Sequence, residues 1–151
     1  HKGYTSADIL EQCRKLDEAG LEYNFFYLTG IYGKDKSKQG VENTLKIFNR
    51  LNPKIVGASM LTIYPTSGLD GEIQKGNWTE ESETEKYEEL KMLVKGLDIK
   101  THFAALGASN AIQLHGSIPT DRKELITAID NFLNRFGESE LKKYRKNLKH
   151  L

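Results

Sequence analysis

EYNFFYLTGIYGKDKSKQGVENTLKIFNRLNP, residues 22–53, reads as a strand, a glycine-punctuated loop and a helix in that order. The aromatic, β-prone run Tyr23, Phe25, Phe26, Tyr27, Leu28 ends at Thr29-Gly30. After the polar loop, Val41, Leu45, Phe48 and Leu51 recur at helical spacing, and Asn52-Pro53 stops the helix. This is a βα unit, and in α/β folds ligands bind at the loop after a strand's C-terminal end. Because the strand's apolar residues are nearly continuous, the pattern predicts a strand covered on both faces.

Similar reading extends outward. Thr5 and Asp8 form an acidic capping box for a first helix with Ile9, Leu10, Cys13 and Leu16 inward, and Gly20 suits its C-terminal turn. Lys54–Leu61 is a second strand, expected to lie parallel and adjacent to the first. Residues 62–78 form a connection long enough to be functional. Thr79 is the expected cap of a helix to about Lys95, and residues 99–106 are a third strand candidate. Residues 111–118 are ambiguous, Thr120 is the expected cap of a helix through Phe136, and a separate basic helix follows Gly137.

Composition narrows the classes. The chain has 151 residues, 28% charged and 38% hydrophobic, enough apolar content for a real core and too much for disorder. No apolar run approaches the ~20 residues that cross a bilayer. A net charge of +1 gives no electrostatic argument for nucleic acid or membrane. Cys13, the one cysteine, cannot form an intramolecular disulfide, which fits a reducing, cytoplasmic setting. Its place on an apolar helical stripe predicts a buried thiol rather than a nucleophile. The opening HKGYTSAD lacks a signal-peptide core. Glu80, Glu81, Glu83, Glu85, Glu88 and Glu89 crowd one helix start, and Lys142, Lys143, Arg145, Lys146 and Lys149 crowd the tail. Both suit the helix macrodipole, so solvated helix ends are expected.

Several chemistries are excluded by spacing. Between Gly30 and Gly33 stand two residues rather than the four of a phosphate-binding G-x-x-x-x-G-K-[ST] loop, and Asp35 follows Lys34. No G-x-G-x-x-G or G-x-S-x-G occurs, and His1, His102, His115 and His150 share no metal-ligand spacing. What remains is a loop where Gly30 and Gly33 admit close backbone approach and Tyr27 or Thr29 offers a hydroxyl. Glycines required for the turn alone explain the same loop equally well.

Read in order, three segments resemble the later half of a radical S-adenosylmethionine enzyme, in the subgroup of oxygen-independent coproporphyrinogen III oxidases and the Elongator catalytic subunit. HKGYTSADILEQCRKLDEAGLEYNFFYLTGIYG resembles a "(N/H)KG-x-T" helix followed by "AG" and a strand ending in "G-x-x-G". VENTLKIFNRLNPKIVGASMLTIYPTSGL resembles "T-x-x-x-x-N-x-L-x-P", then a strand and a "T-x-x-P-x-(T/S)-x-L" turn. GASNAIQLHGSIPTDRKELITAIDNFL resembles an "SN-x-x-x-L-x-G-x-(L/I)-P" tail. The likeness runs from residue 1 to about 135.

That resemblance implies an α/β fold: a fragment of a partial, TIM-like (β/α) barrel over residues 1–108, with a helical extension over 109–151. It implies an oxidoreductase or transferase parent using S-adenosylmethionine and a [4Fe–4S] cluster on a C-x₃-C-x₂-C motif. This sequence lacks that motif. The fragment alone is then inactive, with the N-terminal half of the barrel as its natural partner and a tendency to self-associate. Carried over onto matching positions, Tyr27, Thr29, Gly30, Ile31, Gly33, Leu61, Thr62 and Tyr64 would meet the adenosyl part of the cofactor. The family often places an acidic side chain near the end of the first of these strands, where this chain has Phe25 and Phe26. Two other readings stay open: a stand-alone α/β domain for an adenine-bearing or phosphorylated ligand, and a nucleic-acid accessory domain using the basic tail.

Overall fold

The computed structural model describes residues 3–148, so His1, Lys2 and the tail residues from Lys149 on lie outside the described residues. The elements run α1 (Ser6–Glu18), β1 (Asn24–Thr29), α2 (Ser37–Phe48), β2 (Ile55–Met60), α3 (Gly68–Gln74), α4 (Glu83–Gly96), β3 (Thr101–Ala105), β4 (Leu114–Ile118), α5 (Arg122–Arg135) and α6 (Glu138–Lys146). The strands form one mixed, open sheet in the order β1-β2-β3-β4. β1 pairs parallel with β2 from Asn24↔Ile55 to Thr29↔Met60, and β2 pairs parallel with β3. β4 turns back antiparallel on β3. The stretch that was ambiguous in sequence is therefore a strand from Leu114, half-buried by strict alternation.

The register sorts side chains onto two faces. Phe25, Tyr27 and Thr29 share one face with Val56, Ala58, Met60, Phe103, Ala105, Leu114 and Ile118. α4 is the centre of the layer beneath, packing on α2, α5, α6 and β1. Tyr87, Leu90, Leu93 and Val94 of α4 join Leu125 and Ile129 of α5 in the core. Residues after 108 thus add a strand to the same sheet and helices to the same core.

The opposite face carries Asn24, Phe26 and Leu28, then Ile55, Gly57 and Ser59, then His102 and His115, and no helix of the described residues covers it. Phe26 is 80% exposed. Two-sided cover of β1 was expected, and this corrects it. An apolar run reports how greasy a strand is, not whether something lies on both sides. Gly57 is where that face needs a glycine, since a Cβ there would press the Phe26 ring at 3.1–3.3 Å.

Helix starts follow side-chain chemistry. Thr5 and Asp8 form the expected capping box, and Ala19-Gly20 ends α1 with Gly20 at φ +68°. α4 begins later than expected. Ser82, not Thr79, caps it, because Ser82 has Glu85 three residues on to complete the box. The Thr79 carbonyl instead accepts the Lys34 N–H at 2.9 Å. α5 starts after Asp121 rather than Thr120, with Asp121 accepting the Ser117 N–H at 2.7 Å. The 62–78 connection holds α3, capped by Ser67. α6 packs on α4 instead of standing apart.

Cys13 is 8% exposed, and burial raises its thiol, with Asp17 adding to the effect. No helix among the described residues is long and apolar enough to cross a membrane.

Candidate functional site

The parallel strands β1, β2 and β3 all end at one edge of the sheet, where three connections gather: 30–36, 61–67 and 106–113. The chain leaves β1 through Gly30, whose φ of +85° favours glycine. A Cβ at Gly30 would also meet the Lys86 alkyl chain at 3.1 Å. Gly33, at φ +83°, is more constrained: its Cβ would lie 2.7 Å from the Trp78 indole nitrogen and 2.9 Å from the Thr79 carbonyl.

The expected contact residues divide into two groups. Tyr27 and Thr29 point into the helix layer, and their hydroxyls are engaged: Tyr27 donates to Glu89, and Thr29 donates to the Ser59 carbonyl at 3.0 Å. Gly30, Gly33 and Leu61 are buried with them, Leu61 donating its N–H to the Thr29 carbonyl at 3.0 Å. Ile31 and Tyr64 are exposed. Thr62 is half-buried and accepts from Arg145 at 3.0 Å. The side chains free to meet a ligand are therefore those of Ile31 and Tyr64, on separate connections.

Beneath the loop lies a set of charges that the spacing rules placed in water. Glu81, Glu83 and Glu89 are buried, as is Lys86. Solvated helix ends were expected, and of the six glutamates Glu80 and Glu88 are the exposed ones. Lys86 donates to Glu80 at 2.7 Å and to Glu83 at 3.0 Å. Arg145 reaches from α6 to Glu83 at 2.9 Å and to Thr62, so the basic tail turns inward at this point. Lys142 pairs with Glu138 at 3.1 Å. Glu138 in turn accepts the N–H groups of Glu83 and Thr84 at the start of α4, an acid on a helix N-terminus.

Glu89 accepts from the Tyr27 hydroxyl and from the Gly30 N–H at 2.6 Å. Burial lifts its acid to about 7, against the pull of those two donors. Glu81 is raised as well, by burial first, while a bond from Ser37 at 2.8 Å lowers it. The sequence carried one usable signal for Glu89: it falls one residue before Leu90, three after Lys86 and four before Leu93, on the inward stripe of α4.

The neighbouring connections are pinned too. Asn110, fully buried, donates to the Ala58 carbonyl at 3.1 Å, and Tyr87 accepts the Ala111 N–H at 2.7 Å. A shallow pocket of about 290 Å³ opens between Thr62, Tyr64, Glu80, Arg145 and Leu148. Its guanidinium is already paired with Glu83, so the pocket offers little uncommitted charge.

The donor set does not fit an iron–sulfur cluster. A [4Fe–4S] centre needs several thiolates, and Cys13, the one thiol, is buried on α1. No group of three or more His, Cys, Asp or Glu side chains among the described residues is placed to hold a metal ion. Comparison with protein-family models and with curated proteins found no match to the chain.

Proposed function

We propose that this chain is the later part of a partial (β/α) barrel of the radical S-adenosylmethionine kind, and that it supplies one wall of the ligand cavity. The observation that carries this reading is the one-sided sheet. Parallel strands with helices on one face and an open, partly apolar opposite face are what a barrel wall looks like when its other strands are elsewhere. The ordered sequence resemblance points the same way.

On this reading the open face turns toward the lumen. Phe26 and Leu28 give it apolar surface, Asn24, Ser59, His102 and His115 give it hydrogen-bonding groups, and Ile31 stands at the rim. The cluster, bound by a preceding segment, would supply reductive cleavage of the cofactor in the cytoplasm. This chain's own residues hold the wall rigid, exclude water with apolar side chains and present polar groups to substrate. By itself the chain catalyses nothing.

The experiment uses the product of the whole reading frame. Phe26→Asp alters the exposed wall without touching the core, so it should reduce cofactor cleavage while iron and sulfide content stay unchanged. Normal cleavage by that variant, or a full-length product without iron, would overturn the reading. The rival idea of a stand-alone small-ligand domain predicts instead that residues 1–151 bind S-adenosylmethionine or adenine nucleotides alone, which titration calorimetry decides.

A further inference from the structure

Two buried carboxyls meet at the root of the Gly30 loop with too few donors for both to be ionised. Glu89 has the Tyr27 hydroxyl and the Gly30 N–H. Glu81, 3% exposed, has Ser37 on Oε1, and its Oε2 meets no hydrogen-bond partner among the described residues. The two acids are close enough to hydrogen-bond to each other. Like charges at that range, out of water, cannot both persist.

The surroundings do not relieve them. From β1 comes Tyr27, from the loop Tyr32, and from α2 the neutral Ser37 hydroxyl. From α4 come Glu85, which adds negative charge, and Lys86, which offsets it but directs its Nζ to Glu80 and Glu83.

We propose that Glu81 and Glu89 share a single proton, and that losing it releases the far end of the 30–36 loop from the segment that leads into α4, making the pair a pH-operated clasp at the rim of the cavity. The shared proton supplies the partner that Glu81 Oε2 otherwise lacks. Once it leaves, two buried charges repel. Relief comes by moving Glu81, which precedes the first turn of α4, and with it the bond from Ser37 and the nearby bond from the Lys34 N–H to the Thr79 carbonyl, while Gly30 stays on Glu89.

The direction follows from linkage. An acid raised from 4.5 to about 7 binds more protons folded than unfolded in that window. The clasp's contribution is therefore full at low pH and is lost as pH rises through about 7. The clasp's role in ligand access rests on the function proposed above; the titration itself does not.

The test needs no ligand. Carbon-13 NMR of glutamate carboxyls in this chain should show one midpoint near 7. As pH rises from 4.5 to about 7, hydrogen-exchange protection of the Lys34 amide, corrected for intrinsic rate, should fall about tenfold per pH unit and level off above that midpoint. Glu81→Gln lets an amide donate to Glu89 while still accepting from Ser37, and should abolish that pH dependence. Tyr27→Phe removes a donor to ionised Glu89 and should move the midpoint upward. Absence of any glutamate titrating between about pH 6 and 8 overturns the clasp, as does an unchanged slope in Glu81→Gln. If Glu81→Gln does not fold, the wild-type titration and Tyr27→Phe still decide. A flat titration alongside intact cofactor cleavage removes the clasp alone. A normal titration in a protein that never binds the cofactor removes the barrel reading alone.

Discussion

Phe103 on β3 and Phe26 on β1 are the same residue type in the same sheet, yet one is fully buried and the other 80% exposed. The helix-covered face is a packed core with hydrogen bonds tying the 30–36 and 106–113 loops to α4 and the 61–67 loop to α6. The open face has a lone ring over Gly57 and two imidazoles, His102 and His115, with centroids 6.0 Å apart. Stability belongs to the first face and, on the proposed function, recognition to the second. Substitutions on the two should differ in kind as well as size.

The comparison breaks most decisively at Phe103. Phe103→Ala should cost about 3–5 kcal/mol in denaturant unfolding, the usual range for a large core truncation. Lys86→Met comes next. It strands Glu83 with Arg145 as its remaining cation and removes a buried partner, for a loss of about 3 kcal/mol by the same measurement. Arg145 inside the core-facing network, against Lys142 at the surface, sharpens the same point. Arg145→Ala should destabilise by more than 1 kcal/mol or so, and Lys142→Ala by about half a kcal/mol at most. Ser82→Ala, deleting a cap, should cost about 1 kcal/mol. Smallest of all, Phe26→Ala should leave the midpoint within about 0.5 kcal/mol of wild type. A Phe26→Ala loss as large as that of Phe103→Ala would mean the open face is covered in solution.

Much of the α/β order was legible because short-range rules govern it. Val41, Leu45, Phe48 and Leu51 announced a helix, and the Asn52-Pro53 stop placed β2 next to it. Where two hydroxyls competed to start α4, the box partner decided: Glu85 stands three after Ser82, whereas Ser82 itself stands three after Thr79. The charge network was illegible for a different reason. Tyr27 and Glu89 are 62 residues apart, Gly30 and Glu89 59, Ser37 and Glu81 44. Nothing local distinguishes a glutamate facing water from one facing a hydroxyl that arrives from another element. The exposure of Phe26 was hidden likewise, since NFFYLT carries no polar alternation to say which side lacks cover.

α1 joins the rest of the chain through Asp17, which accepts from Tyr23 at 3.0 Å and from Asn52 at 3.1 Å. Its one thiol, Cys13, is shielded in that position. A helix docked at an edge opens more readily than a core, so alkylation of Cys13 becomes a clock for α1 detachment, separate from global unfolding. With one cysteine in the chain, each modified molecule records one such event. The labelling rate therefore reads directly how firmly a neighbouring surface, if one docks along β1, holds that helix shut.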